Sequence, residues 1–165
     1  MDQIFKRQIR SLHIAGQPVE IVLRQLAKAD IQDIRTIAKD SFPKVWSESE
    51  FDFFINHEHG LCLGAFRESQ LLGYLLCLLI QGELDVITVA VEPQLRRLHI
   101  AETLLRAALE FEMVEQAFLE VESQNQAAIR FYEKVGFKKY GIRKKYYEGQ
   151  RDALVMKIEK GRPGF

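Results

Sequence analysis

The stretch from residue 84 to residue 137 alternates between strand and helix patterns, and this alternation constrains the fold more than any other feature of the chain. Branched apolar residues predict a strand over 84–92, and apolar residues at helical spacing then predict a helix over 97–114. A short strand over 117–121 and a second helix over 125–135 follow. Two strands that are joined through a helix run parallel in one sheet. The sequence therefore predicts a parallel strand pair flanked by two helices.

The residues before this stretch predict two helices and an antiparallel meander. Asp30 is placed to cap a helix over 31–39, and Ser47 with Glu50 forms a capping-box pattern for a short helix that ends near residue 56. Strands over 61–66 and 70–81 then lead into the strand over 84–92. Three consecutive strands on tight turns are typical of antiparallel pairing.

The two ends of the chain complete the predicted sheet. A strand over 19–26 follows a turn, and residues 1–18 form either an N-terminal extension or a hairpin strand. A last hairpin pairs 137–147 with 153–158 around a Glu-Gly turn. We expect a single mixed α/β (α+β) domain over 19–165, with about seven strands in a mostly antiparallel sheet and helices on both faces.

Charge and composition narrow the class of protein. Acidic and basic residues balance at 23 each, so no global charge indicates nucleic acid or a membrane surface as the partner. No apolar run reaches the ~18 residues that a membrane span needs, and the chain begins without a secretory pattern. Cys62, Cys77 and the histidines show no metal-ligand spacing, so we expect buried thiols and no metal site. These features fit a cytoplasmic enzyme.

A basic turn precedes the helix that follows the strand over 84–92. Arg96 and Arg97 lie in this turn. The first N–H groups of a helix lack internal partners, and the helix dipole adds about half a positive charge at that end. Paired arginines often lie on a solvated surface, but here the helix N-terminus points the same way. The turn therefore predicts a site for a phosphate-bearing cofactor.

The order of these motifs resembles the GNAT acetyltransferases, and among them the ribosomal-protein-alanine (RimI-type) N-acetyltransferases. Arg96 and Ala101 match the family's cofactor motif, Gln/Arg-x-x-Gly-x-Gly/Ala. Residues 119–137 match its later signature, Leu-Glu-Val-x-x-x-Asn-x-x-Ala-x-x-x-Tyr-x-x-x-Gly-Phe, in full, and further likeness lies at 41–48 and 146–156. The resemblance implies a GNAT fold, in which the parallel strands splay apart and the thioester of acetyl-CoA lies in the gap.

The resemblance also implies roles for particular residues. Glu120 and Glu122 share one strand face, which by itself fits either a solvated surface or a base, and the family motif makes Glu120 the base. Tyr132 is the implied acid that protonates the leaving sulfur, although aromatic residues at helical spacing are also common in cores. Asn125 is placed both to cap its helix and to bind the cofactor. The implied cofactor-binding residues are Val89, Ala90, Val91, Arg96, Arg97, Leu98, His99, Ile100, Ala101, Glu102 and Asn125.

His99 departs from the family pattern, because it stands where the motif has its first glycine. Glycine lets a backbone approach phosphate closely, and a Cβ with an imidazole adds bulk there. Three outcomes remain open: the ring points to solvent, the ring assists phosphate binding as a cation, or coenzyme A no longer fits.

The resemblance implies an acetyl-CoA-dependent N-acetyltransferase that transfers acetyl directly to an amine. The expected acceptor is the N-terminal α-amino group of a protein or peptide, for instance a ribosomal protein. Two alternatives stay open: acetylation of a lysine or a small-molecule amine, and a non-catalytic module that binds acyl-CoA or a partner. Trp46, Tyr146 and Tyr147 lie where the family's loops flank the acceptor cleft, so aromatic contacts with a peptide are expected alongside ordinary packing.

Overall fold

The structure is a computed structural model, and it describes residues 5–147 and 149–161. These residues form eight strands and four α-helices, with short 3-10 turns at Lys28–Asp30 and Pro93–Leu95. In chain order the elements are β1 Gln8–Ile14, β2 Gln17–Gln25, α1 Ile31–Lys39, α2 Glu48–Ile55, β3 Gly60–Arg67, β4 Gln70–Ile80, β5 Glu83–Val91, α3 Ile100–Leu109, β6 Gln116–Glu122, α4 Gln126–Val135, β7 Lys138–Tyr147 and β8 Arg151–Glu159. Residues 1–4 and Glu148 of the last predicted turn lie outside the described residues.

All eight strands belong to one sheet, in the order β1-β2-β3-β4-β5-β6-β8-β7. Every neighbouring pair is antiparallel except β5 and β6, which are parallel. The mixed, mostly antiparallel sheet with one parallel pair is therefore confirmed. It has one strand more than the expected seven, since β1 pairs with β2 from Gln8 opposite Leu23 to Ile14 opposite Gln17.

The helices cover both faces of the sheet, as expected. β4 is buried along most of its length, and its alternate side chains reach the two faces. Tyr74 and Leu76 pack with residues of α1 and α2. Leu75 and Cys77 pack on the other face with residues of α3 and α4. Both cysteines are buried and free.

The predicted helix cap at Asp30 was wrong, whereas the one at Ser47 is confirmed. Asp30 stands at the N-cap of α1 but makes no capping bond there. Instead its carboxylate accepts two 2.8 Å hydrogen bonds from Arg24 and one of 2.8 Å from the Ala27 N–H. By contrast, Ser47 and Glu50 form the predicted capping box at the start of α2.

Helix α3 is shorter than the predicted 97–114. Arg97 and His99 have φ angles of 64° and 61°, and this left-handed backbone cannot continue a right-handed helix, so α3 begins at Ile100. At the other end the helix stops at Leu109, and turn hydrogen bonds replace helical ones, with the Val114 N–H donating to Phe111 O at 2.9 Å.

The parallel strands separate halfway along their length. Their pairing runs from Glu83 opposite Gln116 to Val86 opposite Leu119, and no pairing follows, although β5 continues to Val91 and β6 to Glu122. Ile87 is an extra residue at a bulge against β4, since Val86 pairs with Cys77 and Thr88 with Leu76. A bulge bends and twists its strand, so it lies where β5 turns away from β6.

Candidate active site

Two cavities lie along the separated halves of β5 and β6. The first cavity, of about 550 Å³, is bounded by the end of β5, the turn before α3, the start of α3, and α4. Nine predicted cofactor-binding residues line it: Val89, Ala90, Val91, Arg96, Arg97, His99, Ile100, Ala101 and Glu102. Tyr132 lines it as well, whereas Leu98 and Asn125 are outside its described lining.

The backbone of β5 presents hydrogen-bond donors to the gap. The Glu92 N–H donates to Leu72 O of the β4 side at 3.0 Å. Because successive N–H groups of a strand point to opposite edges, those of Val89 and Val91 point away from β4. On that side β6 no longer pairs with them. The gap therefore holds backbone donors directed towards the first cavity.

His99 adopts the conformation for which glycine is suited. Its φ of 61° and ψ of 10° are left-handed, a region that costs a residue with a Cβ roughly 1–2 kcal/mol. The imidazole is 62% exposed and lines the first cavity, with Nδ1 3.0 Å from Glu102 Oε2. The turn thus keeps a glycine-like backbone while it carries a histidine.

The two arginines of the turn differ in their contacts. Arg96 binds the loop after α1, since its Nη2 donates to Asp40 O at 3.0 Å and to Ser41 Oγ at 3.1 Å. Its Nε donates to Val91 O at 3.4 Å. Arg97 is exposed and lines the first cavity. Arg96 therefore joins the cavity wall to the loop that follows α1, whereas the charged side chain of Arg97 lies at the cavity.

Glu102 gathers three basic side chains in the first turn of α3. Its Oε2 accepts from His99 and from Lys134 Nζ at 3.0 Å each, and its Oε1 accepts from Arg106 at 3.1 Å. The hydrogen bond from His99, followed by those from Lys134 and Arg106, lowers the pKa of Glu102 to about 2. The carboxylate is therefore ionised at any physiological pH.

Tyr132 belongs to a half-buried aromatic group on α4. Its ring lies 5.1 Å from Phe131 and 6.0 Å from Phe137, centroid to centroid. Loss of water around the phenol raises its pKa to about 12, with further contributions from Cys77 and Tyr147. The hydroxyl is accordingly protonated across the physiological range, and it can serve as a hydrogen-bond donor.

Several residues that line the first cavity were not indicated by the sequence patterns. They are Ser41, Phe42, Leu95, Ala128, Phe131 and Lys134. Ala128, Phe131 and Tyr132 share one side of α4 at spacings of three and four residues, and this stripe was the available signal. Lys134 lies outside that stripe, and its position depends on the contact with Glu102 from another helix.

The second cavity, of about 780 Å³, contains Glu120. It is walled by aromatic residues from several elements, namely Trp46, Phe118, Tyr140, Tyr146 and Tyr147. Glu83, Asp85 and Arg143 also line it. Glu120 Oε1 lies 2.8 Å from Arg143 Nη1, and a side-chain hydrogen bond joins Glu120 to Tyr146, which raises the pKa of that tyrosine.

Carboxylates crowd one another in the second cavity. Burial, followed by the charges of Glu83 and Glu120, raises the pKa of Asp85. Glu83 and Asp85 lie two residues apart on β5 and are both exposed, so they share a face of the strand. Three carboxylates and one guanidinium make this cavity attractive to a cation.

The two cavities share β5 as a wall. Ile87 lines the second cavity and Val89 lines the first, so their Cα atoms are about 7 Å apart along the strand. Tyr147 lies within electrostatic range of both Glu120 and Tyr132. Glu120 and Tyr132 therefore line different cavities on either side of a short stretch of β5.

Residues 5–147 and 149–161 contain neither a membrane-spanning helix nor a cluster of metal ligands. This part of the chain has no helix that is both long and apolar enough to span a membrane. It likewise contains no group of three or more His, Cys, Asp or Glu side chains placed to hold a metal ion.

The sheet with one splayed parallel pair, the basic turn before α3 and the two adjoining cavities define a class of coenzyme A-dependent transferase. Residues 31–137 match the model of the acetyltransferase (GNAT) family, and the chain belongs to that family. It is an acyltransferase whose co-substrate is acetyl-CoA.

Individual members of the family show which acetyltransferases the chain resembles. The chain is 29% identical to the N-alpha-acetyltransferase RimI of Mycobacterium tuberculosis, over 87% of this chain and 95% of the relative. It is 32% identical to the bS18-alanine N-acetyltransferase of Salmonella typhimurium, over 72% and 82%. The crystal structure of the ribosomal-protein-S18-alanine N-acetyltransferase from Escherichia coli superposes with a TM-score of 0.78 at 25% identity, covering 87% of this chain and 96% of that one.

The first cavity fits acetyl-CoA on physical grounds. Its volume lies within the ~300–1,000 Å³ of ordinary ligand sites. Val89 and Val91 offer backbone donors, and the start of α3 offers unpaired N–H groups beside Arg97 and Lys134. Apolar side chains such as Phe131 and Leu95 complete the lining. These features suit a ligand that has a phosphorylated end and an amide-containing arm.

Proposed function

We propose that this protein acetylates the N-terminal α-amino group of a protein, and that its acceptor is of the ribosomal-protein kind. The observation that carries this proposal is the shared wall of the two cavities. Ile87 and Val89 lie about 7 Å apart along β5 and face different cavities. A thioester held at the first cavity can thus be reached by an amine held at the second.

The backbone of β5 and the start of α3 hold acetyl-CoA in this proposal. The N–H groups of Val89 and Val91 point into the gap, where they are placed to bind the pantetheine arm and the thioester carbonyl. Donors aimed at a carbonyl oxygen stabilise the negative charge that develops there during acyl transfer. The turn and the helix N-terminus bind the phosphates.

Glu120 acts as the base in this proposal. The carboxylates of the second cavity attract an ammonium group, and Glu120 removes a proton from it, directly or through a water molecule. An N-terminal amine has a pKa of ~7.7–8.0 against ~10.4 for lysine, so it needs far less help from a base. Glu120 already forms an ion pair with Arg143, and a carboxylate in such a pair is sufficient as the base for an α-amine.

Tyr132 acts as the acid. As the amine nitrogen bonds to the carbonyl carbon and the carbon–sulfur bond breaks, the leaving sulfur gains negative charge. The protonated phenol donates a hydrogen bond, and then its proton, to that sulfur. The nitrogen loses two protons in all. Glu120 takes the first from the ammonium and releases it to solvent, and the second, lost as the tetrahedral adduct collapses to the amide, replaces the proton that Tyr132 gives to the sulfur. The transfer therefore balances without an acetyl-enzyme bond.

A polypeptide acceptor is supported by the size and walls of the second cavity. Its aromatic walls offer flat surfaces to a peptide backbone, and its volume exceeds that of the first cavity. The relatives of Salmonella typhimurium and Escherichia coli are named for ribosomal protein bS18. The reaction belongs in the cytoplasm, where acetyl-CoA and new ribosomal proteins meet.

A mass-spectrometric assay tests the acceptor. The protein is incubated with acetyl-CoA and a peptide that copies the N-terminus of bS18 and carries an internal lysine. A matched peptide has the same sequence with its α-amine blocked. We expect one acetyl group on the free α-amine and none on the blocked peptide. Acetylation of lysine at equal rates in both peptides would contradict an N-terminal specificity, and so would modification of small amines alone.

A further inference from the structure

The contacts of Glu102 set two basic side chains at the wall of the first cavity. His99 and Lys134 both bind its Oε2 at 3.0 Å, and all three residues line that cavity. Arg106, the third partner, binds the other carboxylate oxygen and is outside the described lining. Arg106 is four residues from Glu102 on the same helix, so it forms an ordinary pair along α3.

The exposed fractions of these side chains distinguish Glu102, which holds its partners, from His99 and Lys134, which are open to a ligand. Only 16% of the Glu102 side chain is exposed, whereas 62% of His99 and 58% of Lys134 are. The carboxylate is thus mostly covered, whereas His99 and Lys134 each keep more than half of their side-chain surface open and line the first cavity.

The left-handed backbone of His99 strengthens the case. A histidine there costs stability that glycine would not, and the same residue lies directly before the free N–H groups of α3. A strained conformation is kept where the surrounding structure holds it and where it has a use. At this position the imidazole lies next to the N-terminus of α3, where the helix N–H groups favour an anion.

We propose that Glu102 positions His99 and Lys134 as a pair of phosphate ligands for coenzyme A. The inference rests on the use of acetyl-CoA by the family. Lys134 adds a positive charge from α4 to that of Arg97 in the turn. His99, when both ring nitrogens carry a proton, donates through Nε2 while Nδ1 holds Glu102. Glu102 does not contact the phosphate, since both of its oxygens are engaged with cations.

The test is calorimetric titration of the intact protein with coenzyme A and with dephospho-coenzyme A. The variants are Lys134→Met and His99→Asn, because asparagine tolerates the left-handed conformation and removes the ring. Arg130→Met is the matched control, since Arg130 is an exposed cation on α4, one turn before Lys134, outside the lining of the cavity. Circular dichroism confirms that each variant is folded.

We expect Lys134→Met and His99→Asn each to weaken the binding of coenzyme A about tenfold, which corresponds to ~1.4 kcal/mol, and Arg130→Met to leave it unchanged. Loss with both ligands assigns the pair to the pyrophosphate, and loss with coenzyme A alone assigns it to the 3′-phosphate. Unchanged affinity in both variants overturns the proposal. Failure of the wild-type protein to bind either ligand contradicts the use of acetyl-CoA itself.

A double-mutant cycle tests the positioning role of Glu102. In the Glu102→Gln background, the change Lys134→Met should cost less than threefold in affinity, because the lysine is no longer held at the cavity. If the full tenfold cost persists, Glu102 does not position Lys134. A purely structural role for Glu102 would change stability without changing this coupling.

Discussion

Arg143 Nη1 lies 2.8 Å from Glu120 Oε1 at the wall of the second cavity. The proposed base is therefore engaged by a guanidinium before any amine arrives. Arg143 is 60% exposed, and exposed ion pairs contribute only about 0–1 kcal/mol. An incoming ammonium can replace the guanidinium at small cost, so this pair is compatible with a base that is held in place until the acceptor binds.

The first prediction concerns the base. Glu120→Gln should lower the acetylation rate by roughly 10²–10⁴-fold, since general acid–base catalysis contributes on that scale, while the affinity for acetyl-CoA stays nearly constant. Steady-state kinetics at neutral pH and calorimetric titration measure the two quantities. Glu122→Gln is the control, because Glu122 lies on the same strand face and is outside the lining of the second cavity. A loss below about threefold would remove Glu120 from the role.

The second prediction concerns the acid. Tyr132→Phe removes only the hydroxyl from a half-buried ring, so the fold and coenzyme binding should persist while transfer slows. Turnover per folded molecule and the thermal unfolding temperature separate the two effects. Phe137→Leu serves as the control, because Phe137 contacts Tyr132 in the same aromatic group, carries no proton donor and is outside the described lining of the first cavity. If Tyr132→Phe unfolds readily at unchanged turnover, the tyrosine is structural.

The third prediction concerns the backbone of His99. Because His99 precedes α3 with a φ of 61°, His99→Gly should stabilise the folded protein by about 1 kcal/mol. A glycine inside a helix would destabilise the protein instead. The helix predicted over 97–114 would have placed residue 99 inside a helix. Chemical denaturation of the free protein gives the answer. Destabilisation by the glycine would show that contacts of the imidazole outweigh the backbone strain.

The fourth prediction follows from the lowered pKa of Glu102. A carboxyl whose folded pKa of about 2 lies below its ordinary value of 4.5 stabilises the fold above pH 4.5, and this contribution is lost as the pH falls towards 2. The stability difference between wild type and Glu102→Gln should therefore be largest at neutral pH and should shrink below pH 4.5. Thermal unfolding at a series of pH values measures it. A constant difference would contradict the assignment.

The strand and helix order followed from local patterns, because apolar periodicity and tight turns act over short distances. The strands over 61–92 and the helix over 125–135 were therefore predicted close to their observed positions. The limits of α3 were not, since its apolar residues continue past Leu109 while the backbone of His99 is set by the turn. Periodicity carries no information about a left-handed residue.

The contacts between distant elements could not be read from the sequence. Arg143 reaches Glu120 from β7, and Lys134 reaches Glu102 from another helix. Each pair depends on the order in which strands and helices assemble, and a charged side chain has several partners within reach in any unfolded chain. The resemblance to a family identified Glu120 and Tyr132 as candidates and placed Trp46, Tyr146 and Tyr147 at the acceptor cleft, but it gave no sign of Arg143 or Lys134.

The most direct measurement of the central claim is the affinity of a bisubstrate analogue. In such an analogue, the α-nitrogen of the bS18 N-terminal peptide is joined through an acetyl bridge to the sulfur of coenzyme A. If the two cavities meet at the separation of β5 and β6, the linked ligand should bind at least about 100-fold more tightly than coenzyme A, because the second half then binds as part of the same molecule. Binding no tighter than that of coenzyme A alone would contradict the account, since the peptide half would then find no site beside the thioester.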